Sequence, residues 1–223
     1  TLNALAAGGA INFLNANAFS ALNANAMSGV NVIGAVSTTG GDVDMTTMGD
    51  LNVAATGSIL TQNGKLTATS TTLVDIDNGA VVSLGSGDAH IDAPLVHLGD
   101  DIDTTGAITG TASIVNVEND DAQIQDGVDV AAANAIVNVA AGTFAESVNV
   151  NKTIQLLGNN HGLSVDDPAR AAETILTPPL TGFNITADNV ILDGFSINGG
   201  DNGVLVDGAN NVLVQNNIIT DAV

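Results

Sequence analysis

Cysteine, tryptophan and tyrosine are missing from this 223-residue chain, and aromatic residues make up 2% of it. The lack of Cys excludes a disulfide framework and thiolate metal sites, and it is compatible with export without oxidative folding. So few rings imply a narrow interior filled by Val, Ile, Leu and Ala, because a globular core of this size ordinarily uses some large aromatic side chains. Positive charge is almost as scarce. Lys65, Lys152 and Arg170 stand against 24 acidic residues, for a formal net charge of −21. Neutralising phosphates takes clustered Lys and Arg, so nucleic acid is excluded as a partner, and an anionic membrane surface is excluded for the same reason. Apolar runs are too short to span a bilayer, so no membrane insertion is expected, and Thr1-Leu2-Asn3-Ala4-Leu5 lacks the basic start of a signal peptide.

What the chain does have is a repeat. Asn189-Val190-Ile191-Leu192-Asp193-Gly194-Phe195-Ser196-Ile197 returns as Asn211-Val212-Leu213-Val214-Gln215-Asn216-Asn217-Ile218-Ile219, an offset of 211 − 189 = 22 residues, with Val204-Leu205-Val206 between the copies. Short strands recurring at about 20 residues signal a solenoid. The acids agree with this, since Glu occurs only at Glu118, Glu146 and Glu173 and the rest are Asp. Asp and Asn suit corners, because their short side chains bond nearby backbone and tolerate left-handed conformations.

From Val30 to Asn116, strands such as Val30-Asn31-Val32-Ile33, Leu51-Asn52-Val53, Leu73-Val74-Asp75-Ile76 and Leu95-Val96-His97-Leu98 alternate inward and outward residues. Turn signals Thr39-Gly40-Gly41, Asn63-Gly64 and Asn78-Gly79 stand between them. The Ala- and Asn-rich start, through residue 29, places Asn at every second position and is read as strand; the alternative is a capping helix over residues 14 to 27. Residues 121 to 133 differ. Asn119-Asp120-Asp121 offers an N-cap, and Ile124 and Val128 are spaced i, i+4, so one short helix is expected here despite Gly127.

Two resemblances follow from these strings. The pieces Gly49-Asp50-Leu51-Asn52-Val53, Thr56-Gly57-Ser58-Ile59 and Asp92-Ala93-Pro94-Leu95-Val96-His97-Leu98 make residues 11 to 116 resemble the filamentous-haemagglutinin class of surface β-helices. That class implies shafts of adhesins exported by Gram-negative bacteria. Ile136-Val137-Asn138-Val139-Ala140-Ala141-Gly142-Thr143-Phe144-Ala145-Glu146-Ser147-Val148-Asn149-Val150, followed by Lys152-Thr153-Ile154-Gln155-Leu156-Leu157-Gly158, makes residues 121 to 223 resemble pectin-lyase-like and NosD-like β-helices. Those families carry a short helix, an "aGtY.E.v.v" turn and a strand ending in "l.G", with Tyr where Phe144 stands here. Asn159-Asn160-His161-Gly162-Leu163 through Ile175 resembles the loop excursion of their first coil. The expectation is an all-β, right-handed parallel β-helix with coils of about 20 to 24 residues, in which residues 1 to 118 and 119 to 223 form two stacked parts.

Catalytic groups are hard to find in the sequence. A uronate lyase needs a basic residue and a cation, and three dispersed basic residues do not assemble one. Lys152 reads as a surface charge. Asp193 and Asp207 are the best carboxylate pair for glycoside hydrolysis, but each precedes Gly at a strand end and reads first as a turn. His90 and His97 have no metal-binding spacing. Gly199-Gly200-Asp201-Asn202-Gly203 is an ordinary glycine turn, out of phase with calcium-binding nonapeptides. Phe183 and Phe195 read as core fillers. Thr38-Thr39, Thr46-Thr47 and Thr71-Thr72 lack the constant spacing of an ice-binding array.

No catalytic or cofactor-binding residue is therefore assigned. Asp100, Asp101 and Asp103 are a candidate Ca²⁺ site, against the alternative of a solvated acidic surface that keeps β-structure soluble. The function expected is a non-catalytic structural or adhesive shaft or filament segment of a larger exported bacterial surface protein; the alternative is a polysaccharide-binding or polysaccharide-degrading module. Expected partners are further copies or a continuation of the chain, since it stops at Asp221-Ala222-Val223 directly after an apolar strand, together with polysaccharide or a host or neighbouring cell surface.

Overall fold

A computed structural model describes residues 1–220; Asp221-Ala222-Val223 and the reading of the chain end lie outside them. The protein is an all-β parallel solenoid with coils of roughly 22 residues and one short helix, Ile124–Val130. It divides into two compact units, Thr1–Ala112 and Ser113–Val223. The division falls at the start of strand Ala112–Val117, whereas the composition changes near residue 118.

In the first unit each coil contributes one strand to each of three parallel sheets. One coil runs Leu22–Ala26, Gly29–Val32, Ala35–Thr38; the next runs Val43–Thr47, Asp50–Val53, Ser58–Leu60; a third runs Leu66–Ser70, Leu73–Ile76, Val81–Gly85. The Ala/Asn-rich start follows the same plan with Leu2–Ala4, Ala10–Phe13 and Asn17–Phe19, as its alternation requires.

Register stacks like positions over one another. Inward columns run Val30, Leu51, Val74, Val96 on one face and Val36, Ile59, Val82, Ile102 on another, each at most 3% exposed. A third column alternates small and large, as Ala24, Met45, Ala68, Ile91, which keeps the narrow interior filled without rings. Each buried Val, Leu, Ile or Met side chain contributes about 1.5–3 kcal/mol by leaving water.

One corner of this unit carries a device at a 23-residue period that the strand pattern did not reveal. Gly41, Gly64 and Gly87 are spaced 64 − 41 = 23 and 87 − 64 = 23, and a Cβ on each would lie 1.8, 2.1 and 2.0 Å from the carbonyl oxygen of Ser20, Gly41 and Gly64 respectively. Only glycine lets the chain turn that close to the coil beneath. The buried Thr61 hydroxyl bonds Gly64 O at 2.5 Å, and the buried Thr38 hydroxyl bonds Gly41 O, so carbonyls turned inward at the corner are satisfied.

In the second unit the faces are built from Ala131–Val139, Ile154–Leu157, Ile191–Asp193 and Leu213–Gln215; from Gly142–Phe144, Thr174–Leu176, Phe195–Asn198 and Ile218–Thr220; and from Val148–Val150, Thr181–Ile185 and Asn202–Val206. The repeat read in the sequence is one coil of register: Ile191, Leu192 and Asp193 lie beside Leu213, Val214 and Gln215. Its turns match as well. Asn189 (φ 58°) and Asn211 (φ 56°) are both left-handed, and so are Gly194 (φ 84°) and Asn216 (φ 55°), which explains why Asn can replace Gly in the second copy. Phe183 and Phe195 are core residues, their rings 5.0 Å apart in an edge-to-face arrangement.

The helix buries Ile124, Val128 and Val130. Gly127 is a fit and not a flaw, since a Cβ there would stand 2.8 Å from Val117 Cγ2 and 3.3 Å from Val137 Cγ1. Between Leu157 and Thr174 the chain leaves the coil in a loop of turns and rejoins it, as the string from Asn159 implied.

Candidate functional site

The chemistry of this chain is limited by its cations, so their positions decide what a site can do. Lys152 is not a surface charge. Its Nζ donates to the carbonyl oxygens of Val128, Asp129 and Ala131 at 3.1, 2.7 and 2.9 Å, closing the C-terminal end of the helix. The sequence could not show this, because the carbonyls lie one coil upstream. Burial lowers the Lys152 pKa, offset in part by the neighbouring Asp129 charge.

The N-terminal end of the helix is held in the same way. Glu146 accepts from the backbone N–H of Ile124 at 2.7 Å and of Gln125 at 3.0 Å. Gln123 occupies the N-cap position and makes no capping bond with its side chain. The expected cap residues are engaged elsewhere: Asn119 Oδ1 accepts from Asp121 N in a local turn, and Asp120 Oδ2 accepts from Thr143 N on the next coil. The Glu of the Gly142-Thr143-Phe144-Ala145-Glu146 string is thus the helix cap. Burial raises its pKa, against the two backbone hydrogen bonds that favour the carboxylate. Burial likewise raises that of Asp129, opposed by the Gln125 amide and by Lys152.

Arg170 is also part-buried. Its Nε and Nη2 grip both carboxylate oxygens of Glu173 at 3.0 and 2.7 Å, and Nη1 donates to Leu163 O and Asn216 O, both at 3.0 Å. This ties the 158–173 loop to the last coil. Only Lys65 stays at the surface, 3.8 Å from Asp88, with both side chains more than half exposed.

The other sequence candidates are dispersed. Asp193 is buried and accepts from Gly162 N, Asn216 Nδ2 and Gln215 Nε2 at 3.1, 2.9 and 2.9 Å, whereas Asp207 is exposed at the end of a strand in a different sheet. The two carboxylates do not form a facing pair. His90 Nδ1 lies 3.0 Å from Thr109 Oγ1, and His97 Nδ1 lies 3.9 Å from Asp75 on a different face. Asp100 accepts from Gly79 N and Asp101 N, and Asp103 Oδ2 accepts from Ser83 Oγ at 2.9 Å. Among the described residues no group of three or more His, Cys, Asp or Glu side chains is arranged to hold a metal ion.

What the outer faces present instead is polar columns. One sheet of the first unit carries Asn3, Asn25, Thr46, Thr69 and Asp92 in register, and beside them Asn23, Asp44, Thr67, His90 and Thr109. Side chains bond up the stack: Asn25 to Asn3 at 3.1 Å and Asn31 to Asn12 at 2.7 Å, and in the second unit Asn138 to Asn116 at 2.9 Å and Asn211 to Asn189 at 3.3 Å. Corner carboxylates do the same for backbone, as Asp42 to Lys65 N at 2.9 Å, Asp88 to Ala107 N at 3.0 Å and Asp188 to Asn210 N at 2.7 Å. Much of the acidity is thereby structural.

No protein family, curated protein or solved structure matches the chain. The fold therefore rests on the structure itself.

Proposed function

We propose that the chain is a non-catalytic structural shaft or filament segment, with an adhesive role, of a larger exported bacterial surface protein. The observation that carries this reading is the use made of the two part-buried cations: Lys152 closes a helix and Arg170 fastens a loop, so the hydrogen bonds of both are spent on the fold. Lys65 is exposed and lies 3.8 Å from Asp88. The hydrogen-bonded Asn, Thr and Asp columns suit a wall whose task is to stay folded, since each coil pairs backbone and side chains with its neighbours. The resemblance of residues 11 to 116 to filamentous-haemagglutinin shafts and of residues 121 to 223 to pectin-lyase-like scaffolds supports the same assignment, and the first of these supplies the exported bacterial setting. Calcium enters as a counter-ion of the acidic surface.

Limited proteolysis and surface display test this. The native chain should resist proteases such as thermolysin, and cells displaying it should adhere to host-cell or neighbour-cell layers more than cells displaying a scrambled control. Rapid digestion together with unchanged adhesion would overturn the proposal.

A further inference from the structure

On the second unit, an open groove of about 570 Å³ is lined by Asn116, Glu118, Asn138, Leu157, Asn159 and His161, among others. That size admits a short chain segment or a small molecule. Its polar atoms are unevenly divided. Asn138 Nδ2 donates to Asn116 Oδ1 at 2.9 Å, so the pair leaves one amide oxygen and one amide nitrogen for a ligand. Asn159 Nδ2 is spent on Ala172 O at 2.8 Å, which leaves its Oδ1. His161 Nδ1 lies 2.9 Å from Gly158 O. A carbonyl only accepts, so Nδ1 carries the proton and Nε2 of the neutral ring is an acceptor. Glu118, which has a partner of its own, adds negative charge to the lining. Acceptors outnumber donors, and none of Lys65, Lys152 and Arg170 lines the groove.

We propose that this groove binds a basic peptide segment, taking a Lys or Arg side chain of a partner by its donors. An ammonium has three N–H donors and no acceptor, and a guanidinium five, which is the complement of this lining. Leu157 gives the methylene stem of such a side chain an apolar surface to lie on. The net charge of −21 draws cations toward the chain, whereas uronates and phosphates meet repulsion and no compensating cation. A sugar hydroxyl offers one donor and two acceptor lone pairs, so a neutral sugar brings more acceptors than donors to a lining already rich in acceptors. This inference goes beyond the shaft reading and does not depend on it.

The test is calorimetric titration of tri-lysine amide into the full chain at low and at physiological salt. One site per chain is expected. Glu118→Gln and Asn138→Leu should each weaken binding about tenfold, the loss of one hydrogen bond to a charged group. Asp44→Asn, a charge removed from the first unit, should leave that site unchanged. Circular dichroism checks that the variants fold; should Asn138→Leu fail to fold, Glu118→Gln, at an exposed side chain, carries the test alone. Absence of binding, many weak sites equal in all variants, or displacement of tri-lysine by cellohexaose or trigalacturonate would overturn the proposal.

Discussion

Glu146 and Lys152, on the coil after the helix, hold opposite ends of it: the carboxylate takes the amides of Ile124 and Gln125, and the ammonium takes the carbonyls of Val128, Asp129 and Ala131. Both charges sit where the helix dipole favours them. The helix is too short to persist alone, so its stability comes from this clamp and from Ile124, Val128 and Val130 in the core.

Removing either end of the clamp should destabilise the second unit. Glu146→Ala leaves two part-buried amides without an acceptor and should cost about 2–3 kcal/mol. Lys152→Met keeps the stem and loses three donor contacts, and should cost about 1–3 kcal/mol. Urea denaturation followed by circular dichroism measures both. A Lys152→Met chain as stable as the parent would mean that the ammonium is a solvated charge after all.

The glycine corner makes a steric prediction. Gly64→Ala places a Cβ 2.1 Å from Gly41 O and should cost about 1–3 kcal/mol as an overpacking substitution. Gly208→Asn, at a left-handed glycine (φ 71°) with open space around it, should be nearly neutral, because Asn adopts the same conformation at Asn216. Melting curves of the two variants should separate clearly.

Stability should fall as pH rises from mildly acidic to neutral. Glu146 and Asp129 have folded pKa values raised by burial, so the folded chain binds protons more tightly than the unfolded one there. Their contribution is fully present below the ordinary carboxylate pKa and is lost as pH rises through the raised folded values. Relief of self-repulsion among the acids acts in the same direction. Lys152, with its lowered pKa, acts in the opposite sense: its burial penalty is relieved, and stability grows, as pH rises from the lowered folded value to the ordinary lysine value. Glu146→Gln should flatten the acidic slope of a Tm-against-pH curve.

Calcium should act as screening charge. Ca²⁺ and Mg²⁺ at equal ionic strength should raise Tm alike, and chelator should not lower it below the salt-free value, since Asp100 and Asp103 are bonded to Gly79 N, Asp101 N and Ser83 Oγ. A rise given by Ca²⁺ alone and lost in Asp103→Ala would place an ion at the Asp100, Asp101, Asp103 cluster.

The strands were legible because burial on one face leaves a period of two in the sequence, as in Leu73-Val74-Asp75-Ile76, and because Asn and Gly mark the corners between them. The helix was legible from Ile124 and Val128, but its cap was not. Asn119-Asp120-Asp121 carries the usual N-cap chemistry, and only the stacking of coils shows that Asp120 is spent on Thr143 and that Glu146 does the capping. Lys152 was misread for the same reason: its partners are distant in sequence and are backbone atoms, which no side-chain pattern reports. The Gly41, Gly64, Gly87 column was within reach, since a constant spacing of 23 residues is visible once corners and not strands are aligned. Asp193 shows both sides: Gly194 after it is the turn expected, and its burial under three donors is a fact of the neighbouring coil and loop.

The central claim is that this solenoid's charged groups hold the fold and do no chemistry on a substrate. The most direct measurement is turnover of a polysaccharide panel, including polygalacturonate, its methyl ester and neutral glucans, read as reducing ends, unsaturated product and methanol against the heat-denatured chain. No product above that control is predicted, for the parent and for Asp193→Asn alike. Saturable product formation that Asp193→Asn or Lys152→Met abolishes without unfolding the chain would contradict the account.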